Sequence, residues 1–350
     1  MHTYVSKNRV CARGMSSKMQ NLTQSERAQS WLSDKDKRAN IYFMSAKYDV
    51  DDEFYTSFDE IRAEMQDYRT HFKGKVVVCP CNDGKKSNFY RYFALNFKSL
   101  ELKKLITTTY NIKDPKSKGM KIEISESGIN ETMLQGGGDF RSEEVRNIMA
   151  SGDIIVTNPP FSLFRDLIEI VEEQNKKFLI VGGTYSITYK KIFELYKNGK
   201  IWLGNHQVNI FTRPDGSKKR FSNISWFTNL KSIKHQNGIR LTQKYKGNEN
   251  KYPEYDNYKI IEVKNYKDIP IDYDGVIGIP LTFFLRHNPA QFKILGCDFE
   301  IKDKYPELVK HTYKENNTKS AVLRGQELFT RIIIQRKGGL KPRARILNQF

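Results

Sequence analysis

The chain has 350 residues, is 38% apolar and 28% charged, and carries a formal net charge of +19. It offers no apolar run of the roughly 18 residues that a membrane span needs, no apolar stretch after Met1 that would make a secretory leader, and only four scattered cysteines (Cys11, Cys79, Cys81 and Cys297), too few for a disulfide framework. These features fit a cytoplasmic protein of two domains, or one with a large insertion, and so strong a positive charge calls for a polyanionic partner, nucleic acid ahead of an acidic membrane surface.

Residues 1–47 form a basic arm with nine Lys/Arg against three acids, and a short helix is expected around Gln24–Leu32, capped by Thr23 or Ser25. Asp49–Glu60 is acidic. Phe58, Ile61, Met65, Tyr68 and Phe72 recur at helical spacing. Lys75–Cys79 reads as a buried strand, Ser87–Leu105 as a long helix and Leu105–Thr109 as a second strand. Lys121–Ser125 and Glu131–Gln135 read as short strands around a Gly-Ile-Asn turn. Then come a helix over Ser142–Ala150, a strand over Asp153–Thr157, a helix over Leu163–Glu173, a strand over Phe178–Val181 and a helix reaching Lys197.

Apolar strands alternating with helices predict an α/β fold with a mostly parallel central sheet covered on both faces. Ligands bind such sheets at the carboxyl ends of the strands. After Ile201 the rhythm changes to short strands, at Ile201–Leu203, Val208–Thr212 and Asn223–Thr228. Pro214-Asp215-Gly216 signals a turn between the last two, and the run Lys218-Lys219-Arg220 follows it. Lys231–Lys264 is polar and reads as a loop or small module; Val276–Leu285, Phe292–Leu295 and Arg331–Gln335 are apolar again. The segment 214–251 holds nine Lys/Arg against two acids, and the last twenty residues hold six and none. Aromatics interleave with the basic run, at Phe211, Phe221, Trp226, Phe227 and Tyr245, which suits phosphate contact with base stacking; a solvated loop over a core strand is the plainer reading for any one of them.

The segment that carries chemistry is Asn158-Pro159-Pro160-Phe161, directly after the strand Asp153–Thr157. Two prolines stiffen the backbone and remove two donors. The loop therefore presents carbonyl acceptors, an amide oxygen and a flat apolar ring. That set suits an exocyclic amine: two acceptors on its two hydrogens localise a lone pair otherwise delocalised into the base. The plainer alternative is a strand-to-helix turn in which Phe161 packs.

The motif and its surroundings resemble the EcoRI-type adenine-specific DNA methyltransferase family. The resemblance runs from Asp52 to Leu295, through DEFYT at Asp52–Thr56, SNFYRYFALNF at Ser87–Phe97, GDFRS at Gly138–Ser142, TNPPFSLFR at Thr157–Arg165, KKFLIVG at Lys176–Gly182, IWLG at Ile201–Gly204, WFTNL at Trp226–Leu230 and YDG at Tyr273–Gly275. It implies a Rossmann-like methyltransferase fold with inserted and C-terminal recognition elements, S-adenosylmethionine as cofactor without a metal, and methyl transfer to N6 of an adenine turned out of double-stranded DNA. RNA adenine, a protein glutamine, or nucleic-acid binding by an inactive homologue are the alternatives.

The resemblance implies roles residue by residue. Asn158, Pro159, Pro160 and Phe161 form the catalytic loop. Phe54, Tyr55 and Thr56 match the N-terminal cofactor motif; a helix entry, with Thr56 or Ser57 as cap and Glu60 in the first turn, is the other reading. Cys79, Cys81 and Asp83 lie in the loop after the first strand, where a glycine-rich turn is usual, and Asp83 suits the cofactor's amino end. Asp139 matches the acceptor for the cofactor's adenine amine and Phe140 offers a stacking face; a helix cap is the other role for Asp139. After the second strand, Thr107–Tyr110 contains no acid to bind the ribose. Cys79 and Cys81 lack partners for a four-ligand zinc site, and no two of the six histidines stand at metal-ligand spacing. Lys218, Lys219 and Arg220 are candidate DNA contacts expected to project from the sheet. The implied organisation is a basic arm (1–47), a catalytic domain (48–230) and a C-terminal region for target recognition and completion of the sheet (231–350).

Overall fold

The computed structural model describes residues 55–82, 84–110, 117–212, 217–221, 223–231, 238–311 and 318–337, all within a unit running from Glu53 to Phe350. The expected arm with its helix at 24–32, the Pro214–Gly216 turn and the tail after 337 lie outside the described residues, as do Phe54 and Asp83.

An eight-stranded sheet is the frame. Its strands are β2 (Val76–Asn82), β3 (Lys104–Thr109), β4 (Met120–Ser125), β5 (Gly128–Met133), β6 (Ile154–Thr157), β7 (Lys177–Gly183), β8 (Trp202–Gln207) and β11 (Ile224–Thr228). They lie in the order β5-β4-β3-β2-β6-β7-β11-β8. The three pairings among β3, β2, β6 and β7 are parallel; the four flanking ones are antiparallel. The fold is therefore mixed α/β, and the mostly parallel sheet expected from the sequence is confined to the four central strands. For β4 and β5 the reason is connection length. Only Glu126 and Ser127 separate β4 from β5, and so short a link joins strands antiparallel, whereas a parallel pair needs a crossover.

The central strands read as apolar runs because both faces are covered: Val77, Val78, Ile154, Ile155, Val156 and Leu179–Val181 are buried. Helix α1 (Phe58–Gln66) starts at Ser57, whose side chain accepts from the Glu60 amide, with Asp59 and Glu60 favourably placed in its first turn. Helix α2 (Arg69–Phe72) follows. The long helix expected to Leu105 ends at Leu95 (α3, Asn88–Leu95): the chain turns through residues 96–101 and reverses at Glu101, φ 52°. Helices α4 (Glu143–Ala150), α5 (Phe164–Glu173) and α6 (Lys190–Lys197) lie close to expectation.

A second sheet combines β12 (Ile261–Glu262), β13 (Val276–Pro280), β14 (Phe292–Cys297) and β17 (Arg331–Arg336) in the order β12-β13-β17-β14, with α7 (Asp298–Lys304) after β14 and a small hairpin, β15 (Val322–Leu323) and β16 (Gln326–Glu327), before β17. One apolar cluster runs from Val78, Ile155 and Phe164 to Ile277, Phe292 and Ile332, so residues before and after position 230 share a core. A third, three-stranded sheet joins distant segments: β1 (Tyr55–Thr56), β9 (Ile210–Thr212) and β10 (Lys218–Arg220), in the order β1-β9-β10.

Helix α1 holds the chain around these strands by carboxylates. Glu64, fully buried, accepts the Asn205 amide at Oε1 (2.9 Å) and the His206 amide at Oε2 (2.7 Å). Glu60 Oε1 accepts the Asn209 and Ile210 amides, both at 2.7 Å. A Cβ on Gly204 would lie 2.2 Å from Glu64 Oε1, so the glycine of the Ile201–Gly204 motif makes room for this clamp.

Candidate active site

Parallel strands end at one edge, so the loops after β2, β3, β6 and β7 meet there. The loop after β6 is Asn158-Pro159-Pro160, followed by a tight turn over Phe161–Leu163 and then α5. Pro159 is buried; Asn158, Pro160 and Phe161 are half-buried, and Phe161 packs against the core. The Pro160 carbonyl accepts the Leu163 amide at 2.8 Å, which anchors the turn. Phe164 fixes the start of α5: its ring fills the space where a Cβ on Gly182 would stand (2.4 Å), and it packs on Phe227 at 4.7 Å.

Thr157, the last residue of β6, donates its hydroxyl to the Pro80 carbonyl. This bond ties the Asn158–Phe161 loop to the Cys79–Asn82 segment, which is braced from within. Asn82 donates to the Cys79 carbonyl (2.6 Å) and the Pro80 carbonyl (3.1 Å), and accepts from the Ser87 hydroxyl at 2.8 Å. Cys81 turns the chain at φ 62°, a conformation a side chain rarely takes, which permits the bend without a glycine. Cys79 is fully buried in the core, so its side chain packs and only its backbone faces the loop. Burial pushes both thiols far above their ordinary range; the Asp139 charge adds to the shift at Cys81. No group of metal-ligating side chains exists among the described residues.

Thr109, at the end of β3, is where the remaining pieces converge. Its Oγ1 accepts the Met120 amide at 2.8 Å. A Cβ on Gly138 (φ 88°) would fall 1.9 Å from the Thr109 carbonyl oxygen, and one on Gly84 would fall 3.1 Å from its methyl. Glycine is required at 138 for conformation and space alike. Asp139 follows, beside the Cys81 loop. Its carboxylate is gripped by Arg141, which holds it below the ordinary aspartate range. The cap of α4 is Ser142, whose side chain accepts from the Val145 amide, so Asp139 does not serve as that cap. Phe140 is 2% exposed and lies in the core; protein covers its ring, where a face for the cofactor was expected.

A family model described as adenine-specific methyltransferase EcoRI matches residues 42–337. The chain belongs to this family. It is 42% identical over 289 residues to the Type II methyltransferase M.EcoRI of Escherichia coli, covering 73% of this chain and 89% of that one. It is 36% identical over 317 residues to the Type II methyltransferase M.MpnI of Mycoplasma pneumoniae, covering 85% and 98%. No solved structure matches.

The family's motif residues fall into two groups in this chain. Asn158–Phe161, Cys81 and Asp139 meet at the carboxyl edge of the central strands. Tyr55 and Thr56 belong to the small sheet, where Thr56 pairs with Phe211 and Phe211 with Lys219. Lys218–Arg220 is itself a strand, not a projecting tip. Lys218 and Arg220 are exposed on one face, while Lys219 lies half-buried with its ammonium 5.3 Å from the centre of the Phe221 ring. Sequence reasoning missed Thr157, Asn82, Ser87 and Arg141, which orient the site. The Ser-Asn pair at 87–88 was visible as a helix start, but the partners of these side chains are set only by the fold.

Proposed function

We propose that this protein is a site-specific DNA adenine N6-methyltransferase of Rossmann-like methyltransferase fold, which draws its methyl group from S-adenosylmethionine and acts on an adenine turned out of the duplex. The observation that carries the reading is the Asn158–Phe161 loop, stiffened by two prolines and tied by Thr157 to the loop after β2.

The chain's residues fit the cofactor. Gly84 and Gly138 let the chain close tightly on Thr109, which gathers the loops after β2 and β3 and Asp139 around the end of β3. Asp139 stays ionised and accepts from the adenine amine. The hydroxyls of Thr56, Thr107 and Thr108 are buried and take no hydrogen bond among the described residues. Thr107 and Thr108 stand just before Thr109, at whose end of the strand an acid would otherwise bind the ribose, and their hydroxyls supply polar atoms there. Cys81 lines the amino end, and Asp83, outside the described residues, is the acid assigned to that end by the resemblance alone. The cofactor supplies an electrophilic methyl group on a sulfonium sulfur.

On the substrate side, Phe161 stacks on the extruded base, a contact worth about 1–3 kcal/mol. The Pro160 carbonyl is taken by Leu163, so the Asn158 side-chain oxygen and the Pro159 carbonyl receive the two amine hydrogens. The nitrogen lone pair then leaves conjugation and points at the donor. Neither acceptor holds a proton at neutral pH, so the surplus proton departs to water after the N–C bond has formed. Double-stranded DNA is held through its phosphates by the exposed Lys218 and Arg220, and residues 231–350 contribute target recognition. The protein works in the cytoplasm.

The test is to incubate the protein with duplex DNA and a methyl-labelled donor, digest to nucleosides and look for N6-methyladenine at one sequence context. Label in a different nucleoside, or in protein, would refute the reading.

A further inference from the structure

We propose that the second sheet carries a nucleotide site: a cavity between the β15–β16 hairpin and the strand ends of that sheet, which takes one phosphate-bearing nucleotide, either free or as a unit of DNA. The cavity has a volume of about 460 Å³ and lies where β12 and β13 end and β17 begins. That volume is within the ordinary range of ligand pockets. None of its lining residues belongs to the edge where Asn158, Cys81 and Asp139 meet.

The lining offers two kinds of surface. Pro280, Leu323 and Leu328 are apolar and give a flat ring a wall to lie against. Lys264 and Arg324 are exposed, and neither forms an ion pair among the described residues. Among the described residues that line the cavity Glu262 is the one acid, and its charge is already matched. Arg331 meets it as a fork, with Nε 3.0 Å from Oε2 and Nη2 2.9 Å from Oε1, and the Tyr255 hydroxyl donates to Oε2. The remaining charge is positive, which suits a phosphate.

Arg331 has donors left over. A guanidinium carries five N–H groups. One from each nitrogen is engaged: Nε and Nη2 by Glu262, and Nη1 by the Phe329 carbonyl at 2.8 Å. Each terminal nitrogen therefore keeps a second N–H. The side chain is 14% exposed and fixed from behind, so those donors are held ready for phosphate oxygens.

Arg324 stands at this cavity against its own backbone preference. It takes the first of two left-handed positions at the hairpin tip, φ 54°, with Gly325 following at φ 73°. Asn, Asp or Gly ordinarily fill such positions, and no ion pair among the described residues offsets the strain. The tip is fastened all the same. The Gly325 amide donates to Asp256 Oδ2 at 2.7 Å, and the Asp256 amide donates to the Val322 carbonyl at 2.7 Å. Strain held in place at a charged, exposed side chain is characteristic of ligand clamps.

The experiment titrates thymidine 5′-monophosphate, and separately inorganic phosphate, into the full chain saturated with S-adenosylmethionine, and in parallel follows duplex DNA binding as a function of salt. Thymidine monophosphate lacks the adenine that the methyl-transfer site takes. Arg324→Gly removes the backbone strain, so it should resist urea at least as well as wild type and yet bind the nucleotide about tenfold more weakly, the loss of one hydrogen bond to a charged group. Adding Lys264→Ala should bring the loss to about a hundredfold and should flatten the log–log salt slope on DNA by about 1.8, or 0.9 per phosphate contact. Affinity for S-adenosylmethionine should not change. A response with the free nucleotide alone makes that the occupant, and a response with DNA alone makes it a unit of the duplex. Variants that match wild type with both would overturn the site. So would free inorganic phosphate binding as tightly as the nucleotide, since no base would then be held. The free-nucleotide measurement does not depend on the adenine-methyltransferase reading: a wild-type protein that makes no N6-methyladenine would refute that reading and leave this result standing.

Discussion

Arg141 closes on Asp139 as a fork, with Nε 3.0 Å from Oδ1 and Nη2 2.6 Å from Oδ2, while its own amide donates to Oδ1 at 2.9 Å. Arg141 keeps the carboxyl ionised and aimed, and a carboxylate retains acceptor capacity beyond a two-point contact. Asp139→Ala should weaken S-adenosylmethionine binding by about 1.5–3 kcal/mol, the worth of a hydrogen bond to a charged group. Because Arg141 lowers the Asp139 pKa, whatever this carboxylate contributes is present above the ordinary aspartate range and lost only as pH falls through the lowered value. Calorimetry should therefore find no Asp139-dependent loss of affinity from neutral pH down to about pH 5.

Asn158→Ala should abolish nearly all methyl transfer and leave cofactor affinity intact, since the proposed mechanism sets its side-chain oxygen on the target amine. Single-turnover kinetics alongside binding separates the two effects. Turnover within about tenfold of wild type, equivalent to only ~1.4 kcal/mol, would be too small for a residue that prepares the nucleophile.

Strand β10 sharpens what charge removal should do. Lys218 and Arg220 share the exposed face, so Lys218→Ala with Arg220→Ala should reduce the log–log salt slope of DNA binding by about 1.8, or 0.9 per phosphate contact. Affinity should fall equally on cognate and random DNA if both touch phosphates alone. Lys219→Ala should act differently, exposing Phe221 and lowering stability by about 0.5–1 kcal/mol with little change in slope. A double variant with wild-type slope would move the search to 231–264.

Glu64 titrates near neutrality: burial pushes it up to about 7 from 4.5. A raised folded-state pKa means that its contribution to stability is complete below the unfolded value and is lost as pH rises through the folded one. Glu64→Gln removes this dependence. It also leaves only one acceptor oxygen for two backbone amides, at a cost of about 1–3 kcal/mol. Urea unfolding should show wild type ahead of the variant on the acid side of neutrality, with the gap narrowing as pH rises through 7.

The stiff loop at Asn158–Pro160 and the strand leading to it were legible because their physics is local. A continuous apolar run reads as a covered strand, and two prolines after it read as a rigid turn. Where partners decide, the reading failed. The spacing of Phe89, Phe93, Phe97 and Leu100 suited one helix, but the chain turns after Leu95. The turn between β4 and β5 falls at Glu126-Ser127, and Gly128-Ile129-Asn130 opens the next strand instead. Lys218–Arg220 has no apolar alternation at all and becomes a strand only because β9 offers it an edge. Burial of Phe140 and Cys79 was equally hidden, since a motif marks position in the chain and not which way a ring or thiol turns.

The small sheet has a consequence for where this chain tolerates trimming. Tyr55 and Thr56 cover one edge of β9, and residues more than 150 positions later depend on that cover. A protein shortened to begin at Ser57 would keep every strand of the large sheet. It would, however, bare the amides and carbonyls of β9 along one side, the kind of open edge that pairs with other molecules. Damage at the amino end should thus surface as clumping, and as misplacement of the lysine–arginine strand on the far side of β9.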